Sequence, residues 1–153
     1  MNLFLYQITL GISGIYAGAC LSIACVDLPY VRTIGPETEA VRIFGELLTR
    51  MGKIMLPQLG ILLLGISYFS MIHFRKASGS VFLAYLPLFL FSAIAIITIT
   101  VHIPINQAVI SNSVSPGSWE NLVSRWYIWH WVRSIIAFGL VISLFSSHFL
   151  TNK

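Results

Sequence analysis

Residues 124–145, SRWYIWHWVRSIIAFGLVISLF, decide the fold. After Arg133 the stretch carries no charge, and it belongs to an apolar run from about Tyr127 to Leu150. A bilayer core about 30 Å thick needs about 20 mostly apolar helical residues to cross it. Three further runs meet that requirement, at residues 3–26, 54–72 and 81–101. Helices satisfy their own backbone groups in lipid. The expected fold is therefore all-α, an integral membrane four-helix bundle, with residues 1–153 forming one multi-pass membrane domain. The unusual part of the stretch is its opening, which places Arg125, His130 and Arg133 among three tryptophans at the mouth of a span.

Composition supports the membrane assignment. The chain is 57% hydrophobic and only 9% charged, with a mean hydropathy of +0.86. A soluble domain carries about 25% charged residues, so too little polar material is present to cover a water-facing surface. The net charge of +4 comes from nine scattered Lys and Arg with no basic run. That pattern fits basic loops beside a lipid bilayer rather than nucleic-acid binding. The first run lacks a basic n-region and is long for a cleaved signal, so it reads as a span. Cys20 and Cys25, five apart within it, read as small buried hydrophobes rather than a disulfide.

The connections differ in character. Between spans one and two, Pro36 and the acids after it form a helix start. Val41, Phe44, Leu47 and Leu48 then recur at helical spacing, with Glu39, Arg42, Glu46 and Arg50 between them. An amphipathic interfacial helix is expected over about 37–50. Residues 74–80, FRKASGS, form a short turn that makes spans two and three antiparallel neighbours. The third connection contains the turn-rich NSVSPGS. In span one, Gly14, Gly18 and Ser22 form a ladder of small residues. Tight packing inside the bundle is the preferred reading, and a homo-oligomer seam is the alternative.

With four spans, both termini and the short turn share one side. All five acids fall on the other, with Arg32, Arg42, Arg50, Lys53, Arg125 and Arg133. Arg75, Lys76 and Lys153 remain on the terminal side. Lys and Arg favour the cytoplasmic side, which would place the long connections there, but the compact Arg75–Lys76 turn argues the other way. The count leaves orientation open.

Two motifs carry candidate chemistry at the long-connection mouth. In HIPINQ, His102 and Asn106 are four apart and share a helical face if the helix continues, while Pro104 loosens it. The plain alternative is a span ending in a proline turn wetted by headgroups. In the opening stretch, Trp126, His130, Arg133 and Ala137 form one stripe, and Arg125, Trp129 and Val132 the next. The tryptophans fit an interfacial aromatic belt. Polar residues at depth usually face the bundle interior and mark function, although Arg133 has a competing reading as a snorkelling side chain. Beside a charged Arg133, His130 is expected neutral, which suits a proton acceptor. No HExxH, CxxC or other spaced metal-ligand cluster occurs, and no metal site is expected.

The elements HIPINQ, RW and WHWVR, at His102, Pro104, Asn106, Arg125, Trp126, His130 and Arg133, resemble those of the four-span membrane family that includes fungal anthrone oxygenases. The resemblance is densest over residues 101–133. It implies a monooxygenase-type oxidoreductase acting with O2 on a hydrophobic polycyclic phenol or anthrone-type aromatic substrate, with no cofactor. In that scheme His102 or His130 removes a carbon-bound proton, and Arg133, Arg125 and Asn106 stabilise the resulting oxyanion. Trp126 and Trp129 stack on the flat substrate.

Two other classes stand beside it. One is a haem- or quinone-binding redox protein, in which His73, His102, His130 and His148 form two stacked histidine pairs holding haem. The other is a non-catalytic membrane subunit or small-molecule carrier, in which Arg133 pairs with Asp27 or Glu120 for structure.

Overall fold

A computed structural model describes residues 3–76 and 81–151, apart from the side chains of residues 73–76, 81, 83–84 and 148–151. Among the described residues there are only helices. The first span comprises α1 (Leu3–Ser22), a π turn (Ile23–Asp27) and α2 (Leu28–Arg32). The second is the single helix α3 (Glu37–Lys76). The third comprises α4 (Val81–Ile97), a π turn (Thr98–His102) and α5 (Ile103–Ile110). The fourth is α6 (Trp119–Thr151). Four helical segments are long and apolar enough to cross a membrane. The expected turn at 74–80 falls largely outside the described residues.

The boundaries depart from those read in the sequence for physical reasons. The amphipathic stretch 37–50 is helical, but it runs into the second span without a break. Nothing between Arg50 and Ile54 stops it. Gly52 costs a helix interior only about 1 kcal/mol. At 1.5 Å per residue its 40 residues span about 60 Å, twice a bilayer core. The first third of α3 must therefore project past the apolar layer. The third span likewise continues beyond Val101 to Ile110, and the fourth begins at Trp119 rather than near Tyr127.

The two π turns share a sequence cause. Val26-Asp27-Leu28-Pro29 and Val101-His102-Ile103-Pro104 each place a proline in the first turn of the following helix. Proline has no N–H to donate and clashes with the carbonyl four residues back. A widened turn just upstream absorbs the mismatch, as π bulges do. The helix is re-aimed without being broken, and His102 closes the π turn facing inward.

In the bundle, α1 packs on α3 and α6, and α4 packs on the same two helices. Two apolar clusters fill it. One, nearer the long connections, gathers Leu28, Val31, Phe44, Leu48, Val101, Ile105 and Trp126. The other gathers Tyr16, Cys20, Leu62, Ile66, Ile94 and Leu140. The projecting start of α3 roofs the first cluster, with the Phe44 ring edge-on to both Trp119 and Trp126 at 5.7 and 5.3 Å.

The small-residue ladder does not pack as expected. Gly14, Gly18 and Ser22 are exposed, and a Cβ added at Gly11, Gly14 or Gly18 would meet nothing within 4 Å. Close approach of α1 to α3 occurs instead at Gly65, where an added Cβ would lie 2.3 Å from Thr9 Oγ1. The small residue that matters here is on the partner helix.

Candidate active site

Between the two apolar clusters lies a group of buried polar side chains. His102 and His130 are 1% and 0% exposed, and Arg133 is 6% exposed. The histidine rings meet edge to face at 5.7 Å. Trp126 stacks flat on His130, with centroids 4.5 Å apart and planes 9° from parallel, and stands edge-on to His102 at 4.8 Å. Asn106 Oδ1 accepts the Trp126 indole N–H at 2.8 Å, which fixes the ring that touches both histidines.

Hydrogen bonding sets the state of His130. Arg133 Nη2 lies 2.7 Å from Nδ1, and the Cys20 carbonyl lies 2.8 Å from Nε2. A guanidinium only donates and a carbonyl only accepts. Nδ1 therefore holds a lone pair that the arginine occupies, and Nε2 carries the proton that Cys20 receives. His130 is neutral, as a single tautomer, with both nitrogens committed to protein groups. The Ser134 hydroxyl adds a bond to the His130 backbone carbonyl at 2.8 Å.

His102 is the opposite case. Neither ring nitrogen makes a well-formed hydrogen bond, and the Trp129 backbone is the group that comes near to one. Two more buried donors of this site lack partners, Arg133 Nε and the Tyr16 hydroxyl; the Ser70 hydroxyl and Gln58 Oε1 are unpaired elsewhere in the bundle. The Tyr16 hydroxyl and the Arg133 guanidinium both lie beside the Cys20 thiol, without bonding geometry at the hydroxyl. Buried polar groups are almost always paired, and leaving one unpaired costs about 1–3 kcal/mol. Three residues with unpaired buried polar atoms, Tyr16, His102 and Arg133, thus gather in one site.

The charge in the site is also unbalanced. Glu120 pairs with Arg32 at 2.9 Å, Glu39 and Glu46 pair with Arg42, and Glu37 accepts the Gly117 backbone N–H. No acid bonds to Arg133 among the described residues. The sequence alternative that paired it with Asp27 or Glu120 is thereby corrected: neither acid bonds to Arg133, and the Glu120 carboxylate serves Arg32 at the surface. A sheltered guanidinium without a counter-ion creates a standing positive potential.

The residues expected from sequence divide. His102, Asn106, Trp126, His130 and Arg133 come together. Arg125 and Trp129 are exposed, the latter 39%, on the outer side of α6. Of the four histidines considered for haem, His73 and His148 lie outside the described side chains, and His130 has no free nitrogen. Sequence reasoning missed the contribution of span one. Tyr16 and Cys20, one turn apart, face α6, and the group that Cys20 supplies is its backbone carbonyl.

Fold and site together define a multi-span helical membrane protein with a buried, cationic histidine–arginine centre. The chain belongs to the anthrone oxygenase family: the model of that family, described as anthrone oxygenase, matches residues 46–142. No curated protein and no solved structure matches the chain. The matched region includes every site residue on α5 and α6, together with His102, and excludes Tyr16 and Cys20.

Proposed function

We propose that the protein oxidises a hydrophobic, electron-rich polycyclic ketone with an acidic methylene, an anthrone-type substrate, using O2 as the oxidant. The observation that carries this reading is the contrast between the histidines: His130 makes well-formed bonds at both nitrogens and His102 at neither. His102 is the proton acceptor, and His130 is the fixed surface that orients Arg133.

In this scheme the methylene, made acidic by its flanking rings and the conjugated carbonyl, gives a proton to His102. The electron pair left on carbon delocalises onto the carbonyl oxygen. Arg133 Nε–H and the Tyr16 O–H, the unpartnered donors of the site, supply that oxyanion's hydrogen bonds in this scheme. The carbanion then reduces O2, and a carbon–oxygen bond forms. Loss of the second C–H proton with O–O cleavage gives a new carbonyl and water. O2 takes four electrons, all from the substrate, so no external reductant enters. A buried cation with no acid beside it suits this work, because its field is available to the developing anion.

Oxygen uptake by the purified protein with anthrone as probe tests the reading. One O2 consumed per quinone formed, without a reductant, supports it. No uptake above the spontaneous rate with anthrone or its hydroxylated analogues sinks it.

A further inference from the structure

Away from the buried centre, a groove of about 470 Å³ opens between the first third of α3 and the end of α5. Its wall on α3 is one helical face, at positions 42, 45, 46, 49, 50 and 53. Its other wall is the last turn of α5 and Asn112. The α5 backbone closes against Gly45, where an added Cβ would lie 3.5 Å from the Val109 carbonyl. That approach makes the floor of the groove.

The charges in the groove are not balanced within the protein. Arg42 is held by Glu39 and Glu46 at 2.6 and 2.5 Å. Arg50 and Lys53 have no acid partner among the described residues, and four of the five acids in the chain are engaged elsewhere. Both cations are exposed and line the groove. Lys53 immediately precedes the apolar run that begins at Ile54. In a bilayer that level is occupied by lipid phosphates.

We propose that this groove binds the phosphate of an anionic lipid headgroup, with Arg50 and Lys53 as its cationic ligands. A guanidinium fork matches two phosphate oxygens, and an ammonium adds a compact charge beside it. The Asn112 side chain, also lining the groove, offers an amide for the glycerol or phosphate oxygens. The volume falls within the range of about 300–1,000 Å³ usual for small-ligand sites. The site is independent of the histidine–arginine centre and of the reaction proposed for it.

Delipidated full-length protein in detergent is titrated with short-chain phosphatidylglycerol, short-chain phosphatidylcholine and inorganic phosphate, and bound species are counted by native mass spectrometry. One phosphatidylglycerol is expected to bind at least tenfold more tightly than phosphatidylcholine. The pair Arg50→Gln and Lys53→Gln loses that preference by tenfold or more, and the charge-retaining pair Arg50→Lys and Lys53→Arg keeps it. Undiminished phosphatidylglycerol binding by the neutral pair overturns the proposal. So does a neutral pair that loses thermal stability but not lipid, which would assign the cations to the C-terminal carbonyls of α5. Inorganic phosphate binding as tightly as the lipid overturns the headgroup as the source and leaves a soluble phosphate in its place.

Discussion

Arg133 donates to His130 Nδ1 across 2.7 Å, one turn apart on the same helix, and neither residue is exposed beyond 6%. The bond does two things at once. It removes the lone pair by which His130 would accept a proton, and it holds one end of the guanidinium so that Nε is left facing unpartnered. A pair that looks like an acid–base couple by residue type is, by hydrogen-bond direction, a donor fixed on an acceptor that is already occupied.

A buried cation with no bonded acid beside it is expensive in stability. Replacing a buried ion pair by apolar residues of similar volume is often neutral or stabilising, by up to about 4 kcal/mol, and removing Arg133 leaves no bonded acid behind. Arg133→Met is therefore expected to leave the thermal midpoint unchanged or raised, less the cost of freeing His130 Nδ1. Oxygen uptake should fall by about 10²–10³, the usual loss when an oxyanion donor is removed. Thermal melts in detergent beside oxygen-electrode rates check it. A midpoint that collapses together with the rate would make the arginine structural.

The indole–amide bond from Trp126 to Asn106 ties α6 to α5. Trp126→Phe and Asn106→Leu each remove it, at about 1 kcal/mol for a neutral bond. Because both delete the same interaction, the double variant should cost less than the two singles combined. Unfolding free energies for the four-member cycle measure this, and strict additivity would mean that the bond contributes nothing.

Glycines on facing helices should respond oppositely. Gly65→Ala drives a Cβ to 2.3 Å from the Thr9 hydroxyl, which is already bonded to the Leu5 carbonyl at 2.9 Å. Overpacking of this kind costs about 1–3 kcal/mol. Gly14→Ala meets open space and should be neutral, or stabilising by up to about 1 kcal/mol through helix propensity. Melting both variants in the same detergent separates them. A destabilised Gly14→Ala would instead indicate that another surface packs on that face.

Much of this was legible in the sequence, and the gaps have physical causes. Four apolar runs fixed four spans, because length and hydropathy alone decide that. His102, Trp126, His130 and Arg133 were visible as polar or aromatic residues on two helical stripes. Asn106 was visible only if the helix survived Pro104, which it does by widening into a π turn. Arg125 and Trp129 stand apart from the buried cluster because a second stripe beside the first cannot also face inward on a packed helix. The Cys20 carbonyl carries no side-chain signal. The nearest hint was Pro29, whose repetition of the Pro104 spacing marks a second π turn. The continuity of α3 was hidden because an amphipathic stretch beside an apolar one looks like two elements when no breaker is weighed between them.

The most direct test of the central claim is proton removal itself, with O2 excluded. Anthrone incubated anaerobically in D2O with the protein exchanges its methylene hydrogens, and NMR follows the loss of signal above the spontaneous rate. His102 as the base predicts enhanced exchange by the native protein and a return to the spontaneous rate in a folded His102→Ala variant. Full exchange by that variant would contradict the account, because some other group would then be taking the proton.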